Sequence, residues 1–194
     1  AAHETLNVKG TPSTPEGIEA HKAMETRAKE AERKLDTLVI EIIEHARVIL
    51  AGGAEKTGKG LEERVREAAE DALKRLYPRF DDADHIGWPT VYERARKGDS
   101  NALEAVGYSG NPEDHVVCKE ILTFVAGGKK GSDIRKRFMN PPYGWDKDVI
   151  DGALVVLVGS GHLRARQDGK ALSQKDLNHS NIGVVDFRLE STTI

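Results

Sequence analysis

The sequence has a single cysteine, Cys118, among 194 residues, which excludes an internal disulfide framework. It has no signal-like apolar run at its start, and together these absences predict a reducing, cytoplasmic setting. Long hydrophobic runs are missing too. The longest, residues 153–158, is far short of the roughly 20 residues that span a bilayer, so no membrane partner is expected. A large excess of one sign of charge is also missing. With a net charge of -3 the chain as a whole does not attract polyanions, and any nucleic-acid contact must come from a local patch. An initiator Met is also absent, and the opening Ala-Ala-His predicts a fragment of a longer protein. What is present is charge: 31% of residues are charged against 38% hydrophobic, with a mean hydropathy of -0.52. That balance predicts elongated helical parts rather than one large globule.

Periodicity then gives an order along the chain. Residues 1–15 read as a linker, with Ser13 or Thr14 able to cap a helix and Pro15 suited to its first turn. Residues 16–80 read as a helical arm followed by an amphipathic helix. In the arm, Ala20, Met24, Ala28 and Ala31 start a stripe that strengthens at Leu35, Leu38, Val39, Ile42 and Ile43. Two readings stay open for it: a solvated helix packing on its own domain, or a coiled-coil or docking arm that makes a homo-oligomer through residues 16–46. The run at 47–51 ends that helix or forms a short strand pairing near 55–57. Residues 61–77 predict the second helix, stopped by Pro78. Residues 81–110 read as a short-helix connector, and 111–194 as a winged-helix domain. The expected fold is therefore mainly α with a small β component: a long helical arm, an α-rich middle and a C-terminal winged helix-turn-helix.

Three motifs imitate chemistry. Gly53 to Gly60 (GAEKTGKG) matches a phosphate-binding loop up to Lys59, but Gly60 stands where the magnesium-binding hydroxyl belongs, and no parallel-sheet pattern surrounds it. It reads as a Gly/Lys-rich turn. Asp81, Asp82, Asp84 and His85 mix carboxylates with imidazole, yet a continuous segment seldom turns all its ligands inward; helix capping and a solvated turn are expected. His115 and Cys118, at i and i+3 on one helix, lack an orienting acid, so a buried structural thiol is expected. The remaining histidines, His3, His21, His45, His162 and His179, form no metal spacing. No catalytic residue, metal site or cofactor is predicted, and the fragment is not expected to be an enzyme.

The stretch from Gly131 to Arg166 organises the rest. Ser132 is placed to cap a short helix, Asn140 to Trp145 make a proline-aromatic turn, and a third helix, apolar around most of its circumference, ends at Gly159. Residues 162–166 and 169–172 then form a two-stranded wing around Gln167 and Asp168. Lys129, Lys130, Arg135, Lys136 and Arg137, with Arg164 and Arg166 in the wing, are the candidate nucleic-acid contacts. They suit non-specific contact with the phosphate backbone. The third helix suits base reading poorly, because Asp146, Asp148 and Asp151 take its exposed positions. The domain thus reads as one that docks on a protein or on DNA backbone rather than reading sequence.

Several segments carry a family resemblance: ARVI at 46–49, AGG at 51–53, LYPRFDDADH at 76–85, VYERARKG at 91–98, PYGWDKDVIDGA at 142–153 and GHLR at 161–164. In pattern and order, though in no catalytic motif, the chain resembles the C-terminal region of the large P-loop ATPase of bacteriophage-exclusion (BREX) systems. The resemblance implies a bacterial or archaeal phage-defence protein whose ATPase core lies upstream, and whose nucleotide site is not Gly53 to Gly60. It carries over no functional residue. The expected function is a non-catalytic interaction module coupling such an ATPase to other defence-system proteins, to the rest of its own chain or to DNA backbone. The alternatives are a stand-alone dimeric winged-helix DNA-binding regulator and a small nucleotide-binding enzyme using Gly53 to Gly60.

Overall fold

The structure, a computed structural model, describes residues 12–190. The first eleven residues of the expected linker, including His3, and the last four of the chain lie outside the described residues. The chain is mainly α with a small β component, as composition and periodicity predict. It divides into two compact units, Ala1–Ala72 and Leu73–Ile194.

In the first unit, α1 runs Pro15–His45. It starts as the sequence dictates, with Pro15 in its first turn and the Thr14 hydroxyl accepting the Gly17 N–H at 3.2 Å, which satisfies one of the donors a helix start leaves open. Ala46, with φ -60 and ψ 133, leaves helical geometry. The run that follows is a strand. β1 (Val48–Ile49) pairs antiparallel with β2 (Glu55–Lys56), and the Arg47 guanidinium grips the Glu55 carboxylate through two bonds of 2.8 and 2.6 Å. Arg64, on α2 (Leu61–Leu76), donates to the Glu44 carbonyl at 2.7 Å and so satisfies one of the orphan acceptors at the end of α1. The apolar stripe of α1 is not buried by this unit. Ala28 alone is buried in the helix, while Leu35, Leu38, Val39, Ile42 and Ile43 are 45–70% exposed.

The second unit holds the core. Its helices are α3 (Trp88–Arg96), α4 (Val116–Val125), α5 (Gly131–Phe138) and α6 (Lys147–Gly159). Its strands are β3 (Lys129–Lys130), β4 (Leu163–Gln167), β5 (Lys170–Leu172) and β6 (Asp186–Leu189), in the order β3-β6-β4-β5 with every pair antiparallel. The β4–β5 turn is Asp168-Gly169, both at positive φ (49° and 79°), the conformation that two-residue hairpins favour; it sits one residue later than expected. Lys129 and Lys130 are a strand rather than a linking loop, and α5 begins at Gly131 with no side-chain cap, so Ser132 does not cap it.

α6 is apolar around most of its circumference, so most of it must be covered. Every residue from Val149 to Leu157 is buried. The cover comes from 81–110, expected as a connector but integral to this core. α3 packs along α6 more extensively than any other pair of elements pack, with Trp88, Val91, Tyr92 and Ala95 buried. Gly152 brings the helices close, since a Cβ there would stand 3.4 Å from the Trp88 ring.

His115, whose ring packs edge-on against Trp88 at 5.6 Å, caps α4 through Nδ1, which accepts the Val117 N–H at 3.2 Å, and burial lowers its pKa. Cys118 has no exposed surface, and burial pushes its thiol up to about 12. Holding almost no thiolate at pH 8, the native protein should resist alkylation by iodoacetamide, while the urea-unfolded chain should react fully. Fast labelling of folded protein would contradict this burial.

Candidate nucleic-acid interface

The seven cations predicted from sequence fall into three fates. Arg135 is withdrawn from the surface. Its Nε and one terminal nitrogen donate to the two oxygens of Asp151 at 2.8 and 2.7 Å, and that nitrogen also donates to the His179 carbonyl at 3.0 Å. Asp151, expected on the exposed face of the third helix, has 0% exposure. His179 Nδ1 lies 2.6 Å from the same carboxylate, and its ring stacks on Tyr92 at 4.0 Å. A buried charge needs its partners held in place, and here α5, α6, α3 and the 173–185 segment meet to hold them. Arg135 is therefore occupied by bonds within the fold, with its side chain 15% exposed.

Arg164, Arg137 and Lys129 are partly engaged. Arg164 is ion-paired with Glu190 through two bonds, which raises its pKa through the bond to that carboxylate. The Arg137 guanidinium lies 5.3 Å from the Tyr143 ring centroid, and the Lys129 ammonium 5.3 Å from that of Phe124, both within cation–π range. Lys130, Lys136 and Arg166 are exposed and make no ion pair among the described residues.

Register brings some of these cations together. Arg166 stands opposite Asp186, and Lys130 flanks Asp186 on the other side. Arg164 stands opposite Arg188, a cation that sequence reasoning missed. Like charges directly opposite each other destabilise a strand pair; on this sheet face the four cations Lys130, Arg164, Arg166 and Arg188 are offset by Asp186 between Lys130 and Arg166 and by Glu190 beside Arg164, which leaves cations in excess. The signal for Arg188 was the alternation Asp-Phe-Arg-Leu at 186–189, which places Phe187 in the core and Arg188 outside. Lys136 and Arg137, on α5, are not part of that face.

Parts of the other two motifs take part in bonds of the fold. Gly53 to Gly60 contains the return strand of an antiparallel hairpin. Lys56 is bound to Asp71 at 2.5 Å, and the Lys59 N–H is taken by the Glu63 carboxylate at 2.9 Å. Asp82 pairs with Arg79, which also reaches Glu120 at 2.9 Å. Among the described residues no group of three or more His, Cys, Asp or Glu side chains could hold a metal ion, and no helix is long and apolar enough to cross a membrane. Comparison with protein families, curated proteins and solved structures gives no match.

Proposed function

We propose that the region from 111 onward is a winged helix-turn-helix, and that the chain is a non-catalytic interaction module of a larger protein. What supports the fold reading is the order helix, short strand, helix, helix, hairpin, returning strand, with the short strand joined to the sheet. The observation that carries the functional reading is the burial of α6. A DNA-reading member offers the start of that helix to the major groove; here α3 covers the rest of α6, Asp151 is tied to Arg135, and the open start carries Asp146 and Asp148, which repel phosphate. The module then docks through other surfaces. The sheet face bearing Lys130, Arg166 and Arg188 suits weak, sequence-independent contact with DNA backbone. The resemblance to BREX ATPases supplies the proposed setting, in which the module couples an upstream ATPase to defence-system partners or DNA. A stand-alone dimeric regulator draws on the exposed stripe of α1, but it needs a reading helix that α6 does not offer.

The test is fluorescence anisotropy of labelled duplexes with the full chain across a salt series. Binding should be weak and independent of sequence, with a log–log salt slope of about -2 to -4, the value for two to four phosphate contacts. Arg166→Glu with Arg188→Glu should remove it. Tight binding to one sequence would overturn the proposal.

A further inference from the structure

A cleft of about 300 Å³ opens beside the start of α6. Ile86, Phe80 and the edges of Trp88, Trp145 and Val149 form its apolar walls, and Asp84, Asp146 and Asp148 stand around it. Its size holds one or two side chains rather than a folded partner or a dinucleotide. Ile86 is 98% exposed and Phe80 42%, and neither exposure comes from a slack loop. The His85 N–H donates to the Ala83 carbonyl at 2.8 Å, and the Gly87 N–H donates to His85 Nδ1 at 2.9 Å. Gly87 also lies so close to the Ala105 backbone that a Cβ would meet that carbonyl oxygen at 2.0 Å. This tight, anchored turn holds Ile86 outward, beside an apolar recess it does not fill.

Three carboxylates line the rim, with His85 beside them. Asp84 and Asp146 make no ion pair among the described residues, and Asp148 lies 3.8 Å from His179 Nε2. A displayed aliphatic side chain, a recess of side-chain size and a group of carboxylates complement a segment that is apolar at one point and cationic around it. They repel phosphate. We propose that this cleft docks a cationic segment of a partner protein, which inserts an aliphatic or aromatic side chain beside Ile86 and sets Lys or Arg residues against Asp84, Asp146 and Asp148. The proposal rests on reading the chain as an interaction module, and it names where that module takes protein and of what chemistry.

The two tryptophans of the chain are Trp88 and Trp145, so intrinsic fluorescence reports on this cleft. Four probes are titrated into the full chain: an amphipathic peptide of Leu and Lys in helical register, the same peptide with Ser for Leu, the same with Glu for Lys, and a DNA duplex. The Leu/Lys peptide alone should give a saturable change in emission. Ile86→Ser, at a position that touches little, should weaken it about tenfold, and Asp146→Asn with Asp148→Asn by a similar factor. Equal binding of the Ser peptide, the Glu peptide or DNA, no saturable change, or an unaltered affinity in Ile86→Ser would each overturn the proposal. Sequence-specific DNA binding in the anisotropy assay would sink the module reading while leaving the peptide result to be judged separately.

Discussion

Replacing Asp151 by Ala should lower the stability of the second unit by roughly 3–5 kcal/mol, the range for breaking a buried ion pair from one side. The measurement is the urea midpoint followed by circular dichroism. The cause is local. Asp151 is wholly buried and the Arg135 side chain is 15% exposed, so removing the carboxylate leaves a guanidinium with little water and one carbonyl partner, at His179. Arg135→Met together with Asp151→Ala should recover much of the loss, because the uncompensated charge leaves with the arginine. A single-mutant loss under about 1 kcal/mol would mean that solvent screens the pair as it does at a surface. One practical result follows for the anisotropy assay. Arg135→Glu would oppose two carboxylates in the core, so a loss of DNA binding in that variant would report unfolding rather than a lost contact.

Gly131→Ala should be comparably severe, with a loss of roughly 3 kcal/mol, at or above the usual range for overpacking. A Cβ at Gly131 would fall 1.9 Å from the Ile182 carbonyl oxygen and 2.7 Å from its carbon. Both are backbone atoms and cannot rotate away. The glycine N–H donates to the Val185 carbonyl at 2.9 Å, so easing the clash would also stretch the bond that seats the start of α5 on the returning chain. Gly60→Ala serves as the control. Its Cβ would meet nothing within 4 Å, and the change should stay within about 0.5 kcal/mol. A loss at Gly131 no larger than that at Gly60 would show that the close approach to Ile182 does not set the cost.

What could be read in advance was the part that depends on near neighbours. The cap at Ser13 or Thr14 (Thr14 in the structure), the helix expected over 16–46 and found at Pro15–His45, the stop before Pro78 and the apolar girth of α6 are local patterns, and each appears in place. The 47–51 run was ambiguous because a strand of two residues carries no period; the pairing of Val48 with Lys56 settled it. The role of 81–110 was recoverable but overlooked, since a helix apolar around most of its circumference must have a second cover, and Trp88, Val91, Tyr92 and Ala95 already stood at helical spacing. Asp151 was misplaced because a carboxylate in a helix normally marks the solvent side. Only the approach of Arg135 from another helix reverses that rule, and no spacing encodes it. Four of the seven site cations changed status for similar tertiary reasons, through Asp151, Glu190, Tyr143 and Phe124. Ile86 could not have been singled out, because an isoleucine between His85 and Gly87 looks the same whether buried or displayed.

The sheet order β3-β6-β4-β5 bears on how the chain folds. β3 finds its partner only in β6, with Lys129 against Phe187, and two helices and a hairpin intervene. Loop-closure entropy must be met before so distant a pairing gains any contact, which slows assembly. The local helices and the β4–β5 hairpin can form early, whereas β6 enters between two strands already waiting. Until it does, β3 and β4 both present open hydrogen-bonding edges, the kind of surface through which a partly folded chain pairs with its neighbours. The strand that carries Arg188 is thus also the one that protects the folding chain from its own copies.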